Sequence, residues 1–218
     1  MTESLPKIYL ITDQKQTYKQ RRLIDIIEEL LQAGIRMVQL REKDLSAAEL
    51  YPLARDLRVL THRYNARLLI NDRIDIALAV GADGVHLGGH SLPIKKTREI
   101  LGSHALIGVS THSMSEAESA QNQGADFITY GPIFFTPSKA PFGSPVGVDS
   151  LQTICNCCKI PVYALGGIKI DNTREVLKGG AYGVAMISAL LSAPAPYQAV
   201  QQFSAEIQEV FPSISLRK

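Results

Sequence analysis

The sequence is short of cysteine, of excess charge and of long hydrophobic runs, and each shortage removes a class of protein. Its three cysteines all fall within Cys155-Asn156-Cys157-Cys158. An odd, clustered set makes a poor disulfide framework, and a soft-metal site would lack a fourth ligand, so reduced thiols near a helix end are expected. With 23 Lys and Arg against 21 Asp and Glu, the formal charge of +2 is too small for a nucleic-acid surface, and no DNA-binding motif is recognisable. Arg21-Arg22 and Lys95-Lys96 read as solvated helix faces. No apolar stretch approaches the roughly 20 residues that span a bilayer, and the start, MTESLPKIYLITD, lacks the apolar core of a signal peptide. A cytoplasmic chain with no membrane or nucleic-acid partner is expected. The sequence leaves open a homo-oligomer.

What is present is a full complement of core residues, 45% hydrophobic over 218 residues, arranged in repeats. QAGIRMVQLR, AVGADGVHLG, NQGADFITYG and KGGAYGVAMIS share one pattern: a helix end, a glycine near the C′ position, then an apolar strand. Between them lie KIYLIT, ARLLIND, ALIGVST and IPVYALGG, whose near-continuous apolar character suits strands of a parallel sheet buried on both faces. Strands are predicted to start near Lys7, Met37, Arg67, Gly84, Leu106, Phe127, Pro161 and Gly183. Helical patterns cover Leu23 to Ala33, Ala47 to Tyr64, Pro93 to Leu101, Ser115 to Gln123, Val148 to Cys155, Asn172 to Lys178 and Pro196 to Val210. Ser113 to Glu116 reads as a capping box and Asp171 as an N-cap. Eight strands alternating with eight helices along the whole of residues 1–218 predict a single-domain (β/α)8 TIM barrel. The rival, a doubly wound open sheet, lacks an obvious switch point.

In such a barrel the chemistry sits at the C-terminal ends of the strands. There Gln39, Arg41 and Lys43 alternate, so an extended chain points all three the same way. They form either a clamp for a polyanion or one half of ion pairs with Asp13, Asp44 or Asp72. Asn71-Asp72 suits Mg2+ held beside phosphates, or a plain helix cap. Gly166-Gly167 and Ile187-Ser188 end the last two strands, where barrels of this kind often bind phosphate through backbone N–H groups; the alternative is a tight turn. The segment Phe134 to Val146 reads as a lid, with Lys139 able to close over a charged substrate. Two anion sites imply two phosphorylated small-molecule substrates. One stretch resists this scheme: VHLGGHSLP, residues 85–93, ends the fourth strand in glycines without any carboxylate.

Taken in order, YLITD, QLREKD, NDR, GADGVHLG, GVSTHS, GPIFFTPSK, ALGGI and VAMISA resemble the thiamine phosphate synthase family over nearly the whole chain. The resemblance implies a (β/α)8 barrel that joins hydroxymethylpyrimidine diphosphate to a thiazole phosphate and releases pyrophosphate, with Mg2+ as cofactor. Its chemistry is dissociative: diphosphate departs, and the thiazole nitrogen captures the pyrimidine cation. Carried over motif by motif, Arg41, Lys43, Asn71 and Lys139 would hold the diphosphate, and Asp72 would ligate Mg2+. Gln39 and Ser110 would lie by the pyrimidine. Thr136 and Ser138 would contact the thiazole phosphate, whose phosphate Gly167, Ile187 and Ser188 would bind.

The sequence departs from that pattern at Gly89 and Ser91, where synthases typically carry Gln and a second metal-binding Asp. A neutral hydroxyl at Ser91 should weaken Mg2+. The same resemblance covers a thiazole tautomerase, which needs neither clamp nor metal and whose acid–base histidine matches His112. A non-catalytic relative that binds thiamine precursors is a third reading. The retained clamp favours the synthase.

Overall fold

In the computed structural model, which describes residues 4–137 and 144–212, eight parallel strands close into a barrel in sequence order. They are β1 (Ile8–Ile11), β2 (Met37–Leu40), β3 (Arg67–Asn71), β4 (Gly84–Leu87), β5 (Leu106–Thr111), β6 (Phe127–Tyr130), β7 (Val162–Leu165) and β8 (Gly183–Met186). The ring closes where Ile8 to Leu10 pair with Val184 to Met186. The open-sheet alternative is thereby excluded. The helices are α1 (Leu23–Gln32), α2 (Ala47–Arg63), α3 (Ile74–Val80), α4 (Ile94–Leu101), α5 (Met114–Asn122), α6 (Gly147–Cys157), α7 (Ile170–Lys178), α8 (Ser188–Leu191) and α9 (Pro196–Val210). Among the described residues the nine helices are one more than the eight expected, and two of them, α3 and α8, fall outside the seven patterns placed from the sequence; α8, with four residues, is too short to show a helical period. No helix among the described residues is long and apolar enough to cross a membrane.

The glycines at the ends of the repeats do what their position requires. Gly34, Gly81, Gly124 and Gly180 all take positive φ, from 64° to 118°, where the chain leaves a helix for the next strand. Two repeats share a further device. In each Gly-Ala-Asp the aspartate accepts an N–H from a neighbouring strand and pairs with an arginine. Asp83 holds Leu68 N at 2.7 Å and Arg58 at 2.8 Å; Asp126 holds Ile107 N and Arg98, both at 2.7 Å.

Two cap expectations need correction. Ser113 does accept from Glu116 N, but the Glu116 carboxylate reaches past it to His112 N at 2.6 Å, so only half the capping box forms. Asp171 lies inside the first turn of α7 rather than at its cap, because the helix starts at Ile170; Asn172 accepts from Lys169 N at 2.8 Å.

Period-two alternation separates two cores. Residues such as Leu10, Val38, Ile70 and Val85 face outward under the helices. The inward set, with Tyr9, Met37, Leu69, Phe127 and Tyr163, fills the barrel. Tyr9, Phe127 and Tyr163 pack tilted or edge-on with centroids 5.5–5.8 Å apart. Burying a side chain of this kind is worth about 1.5–3 kcal/mol. The rings fit because Gly108 leaves room: a Cβ there would lie 2.3 Å from Phe127. This aromatic plug closes the barrel below and forms a floor under the C-terminal mouth.

Candidate active site

Above the plug opens a cavity of about 660 Å3. Gln39, Arg41, Lys43, Asn71, Asp72, Ser91, Ser110, His112, Thr136, Gly167, Ile187 and Ser188 all line it. Ser138 and Lys139 lie outside the described residues. A second cavity of about 360 Å3 opens at the opposite end of the barrel, beside Lys7 and Cys155. Cys155 and Cys158 line it, all three cysteines are free, and burial pushes the Cys155 thiol up to about 12.

Gln39, Arg41 and Lys43 share the cavity, as their alternation requires. Of the three candidate partners, Asp72 forms no salt bridge among the described residues and the other two are engaged elsewhere. Asp44 pairs with Lys15, and Asp13 caps the following turn, accepting from Gln16 Nε2 at 2.6 Å. Among the described residues Arg41 and Lys43 form no salt bridge. Their strand end is pinned by buried neighbours: Arg41 N donates to Thr12 Oγ1 at 2.9 Å, and that hydroxyl donates to Glu42 Oε1 at 2.6 Å. Burial raises the Glu42 carboxyl against the bonds from Thr12 and Gln14. Burial also lowers the Arg41 guanidinium, opposed by Asp13 and Glu42, yet an arginine stays charged.

Asp72 sits at φ 64°, left-handed backbone that costs a non-glycine residue on the order of 1–3 kcal/mol. Its neighbour Arg73 is turned away onto Asp75 at 2.5 Å. Ser91 faces the same cavity, but its hydroxyl accepts from Gly88 N at 2.7 Å and so closes the glycine turn. No group of three His, Cys, Asp or Glu able to hold a metal occurs among the described residues. The donors present fit a Mg2+ carried mainly by substrate phosphates and water, with Asp72 as its protein carboxylate, and do not make a closed cage.

The opposite wall presents backbone at two places. Gly166 and Gly167 take φ 99° and 67°, and a Cβ on Gly167 would lie 2.7 Å from Phe134 Cβ. Asn172 Nδ2 holds the Gly167 carbonyl at 3.0 Å. Ile187 and Ser188 open α8, whose first N–H groups have no intrahelical acceptor. His112 lines the cavity; its Nδ1–H donates to Gly131 O at 2.5 Å, which leaves Nε2 as the ring nitrogen not bonded to a described residue.

Four groups at or beneath this site carry no functional signal in the sequence pattern. Tyr9 and His86 look like ordinary strand residues, although period two from Gly84 places His86 inside the barrel. His86 is 2% exposed, and burial, then the charge of Arg41, pulls its pKa down to about 3. Phe135 and Lys169 also line the cavity, from loops whose course the sequence pattern did not define.

The family model described as thiamine monophosphate synthase matches residues 8–190. A putative thiamine-phosphate synthase of Geobacter sulfurreducens is 56% identical over 189 residues, covering 87% of this chain and 88% of the relative. A thiamine-phosphate synthase of Clostridium novyi is 43% identical over 185 residues, covering 85% and 90%. The solved thiamine phosphate pyrophosphorylase from Pyrococcus furiosus superposes with a TM-score of 0.85 at 37% identity, covering 94% of this chain and 96% of that one.

Proposed function

The chain belongs to the thiamine monophosphate synthase family, and from that premise we infer that its cavity joins hydroxymethylpyrimidine diphosphate to a thiazole phosphate and releases pyrophosphate. It is a transferase of the thiamine-phosphate synthase type. The observation that carries the assignment of sides is the pair of cationic side chains, Arg41 and Lys43, without salt bridges among the described residues, on a cavity whose far wall presents the Gly166-Gly167 backbone and the start of α8, with Lys169 beside them.

Arg41, Lys43 and Asn71 take the diphosphate, joined by Lys139. Charge builds on the leaving group as the carbon–oxygen bond breaks, so fixed cations stabilise the transition state more than the bound substrate. Gln39 and Ser110 orient the pyrimidine above the aromatic floor. Gly167, Ile187 and Ser188 take the thiazole phosphate through backbone N–H groups, with Thr136 and Ser138 on the substrate side. Mg2+, when bound, neutralises part of the diphosphate charge, and Asp72 is the residue that would hold it, with Ser91 as a weak neutral neighbour. The substrates are thus small phosphorylated molecules, and the setting a cytoplasmic biosynthetic one.

The experiment is a side-by-side assay of the purified protein. With both substrates and Mg2+ it should make thiamine phosphate, while isomerisation of a thiazole carboxylate phosphate stays at background. Isomerisation without coupling would instead assign His112, through its free Nε2, to a tautomerase.

A further inference from the structure

A chain of buried hydrogen bonds runs under the cavity and has only one consistent order of protons. Gln39 Nε2 donates to Tyr9 Oη at 2.8 Å. Tyr9 Oη lies 3.2 Å from His86 Nδ1. His86 Nε2 lies 3.0 Å from Ser110 Oγ, with Thr129 Oγ1 more distant at 3.5 Å. Gln39, Tyr9 and His86 are 1%, 0% and 2% exposed, so water does not interrupt the chain. Among the described residues no buried side-chain N or O lacks a partner.

The order follows by counting protons. A phenol has one, Tyr9 accepts from Gln39, and His86 Nδ1 is the remaining bonded partner among the described residues, so the buried phenol proton goes to Nδ1. Nδ1 is then an acceptor, and the ring carries its proton on Nε2. That N–H donates to Ser110 Oγ, so the serine hydroxyl has its own proton left for the cavity. Gln39 spends an N–H on Tyr9, and no described donor is bonded to its Oε1, so it keeps a carbonyl oxygen as acceptor.

We propose that Tyr9 and His86 are positioning residues: they fix Ser110 as a donor and Gln39 as an acceptor, and thereby select an amino-heteroaromatic ring over its oxo counterpart. A ring nitrogen beside an exocyclic amine offers acceptor and donor, the complement of this wall. The 4-oxo form offers N–H and C=O, which meets donor with donor and acceptor with acceptor. The proposal rests on the synthase reading for the identity of the substrate, an aminopyrimidine; the proton order does not depend on it.

Two readouts separate those dependencies. In the free protein, 15N shifts of the His86 ring should show Nε2 protonated and Nδ1 bare. Gln39→Glu replaces the donor to Tyr9 by an acceptor, so the whole chain should reverse and move the His86 proton to Nδ1. In turnover, Tyr9→Phe should narrow the preference for the amino substrate over its 4-oxo analogue by at least about tenfold, the scale of one buried hydrogen bond. It should leave KM for the thiazole phosphate unchanged, which a loosened fold would not. An Nδ1-protonated ring in the wild type, a tautomer unmoved in Gln39→Glu, or an unchanged preference in Tyr9→Phe would each overturn the proposal. Failure to couple the substrates with the tautomer as stated removes the aminopyrimidine selection and leaves the proton order standing.

Discussion

On the β2–β3 side of the mouth the positive charge sits on side chains, Arg41 and Lys43, at a strand end pinned to β1 through Thr12 and Glu42. On the β7–β8 side it sits on backbone N–H groups at Gly166-Gly167 and the start of α8, with the cationic side chain of Lys169 also lining the cavity. The two walls suit two kinds of anion. A leaving diphosphate gains charge during the reaction and calls for full cations that strengthen in the transition state. A phosphate that only anchors its substrate keeps its charge, and fixed N–H groups suffice. The walls should therefore break differently, the first in rate and in diphosphate binding, the second in thiazole phosphate binding alone.

The largest effect is expected at Arg41. Arg41→Ala should lower kcat by on the order of 10²–10³, about 3–4 kcal/mol, at saturating thiazole phosphate. Arg41→Lys should recover only part, because a point charge does not replace a planar fork. A kcat within threefold of wild type would move the charge stabilisation elsewhere. Gly167→Ala should act on the other wall. Its Cβ would enter space held by Phe134 and Phe135 at φ 67°, costing about 1–3 kcal/mol of stability and weakening the thiazole phosphate roughly tenfold. Denaturant melts and a KM measured on the same preparation check both.

The floor shared by both walls carries a pH effect of its own. Beneath the mouth His86 titrates near 3 in the folded chain against 6.5 unfolded. The unfolded chain therefore takes up the proton first, so stability is full above pH 6.5 and falls as pH drops toward 3, with a slope approaching about 1.4 kcal/mol per unit. Urea unfolding across that range should show the slope in the wild type and lose its His86 share in His86→Gln. The smallest effect belongs to Ser91. Ser91→Asp keeps an acceptor for Gly88 N and adds a carboxylate facing Asp72's cavity, so half-maximal Mg2+ should fall by roughly tenfold. An unchanged requirement would separate Ser91 from the metal.

The two walls were also unequally legible. Cationic residues at i and i+2 after an apolar strand announce a charged face, and the helix-end glycines marked the strand starts to within a residue. The stretch VHLGGHSLP showed its missing carboxylate but not the use of Ser91 in closing the turn, because that bond joins a hydroxyl to a backbone N–H with no sequence signature. The His86 relay was hidden for a related reason. A histidine and a tyrosine on inward strand positions look like core until 77 residues of chain are folded to bring Tyr9 against His86. The helix α8 escaped because one turn has no period, and Lys169 because a loop's direction is set by packing.

The most direct test measures binding of each substrate separately to each wall. Titration calorimetry with a non-reacting diphosphate analogue and with the thiazole phosphate, on wild type, Arg41→Ala and Gly167→Ala, gives that matrix. Arg41→Ala should weaken only the diphosphate analogue and Gly167→Ala only the thiazole phosphate. Equal loss of both ligands in both variants would contradict the division of the cavity into a side-chain wall and a backbone wall.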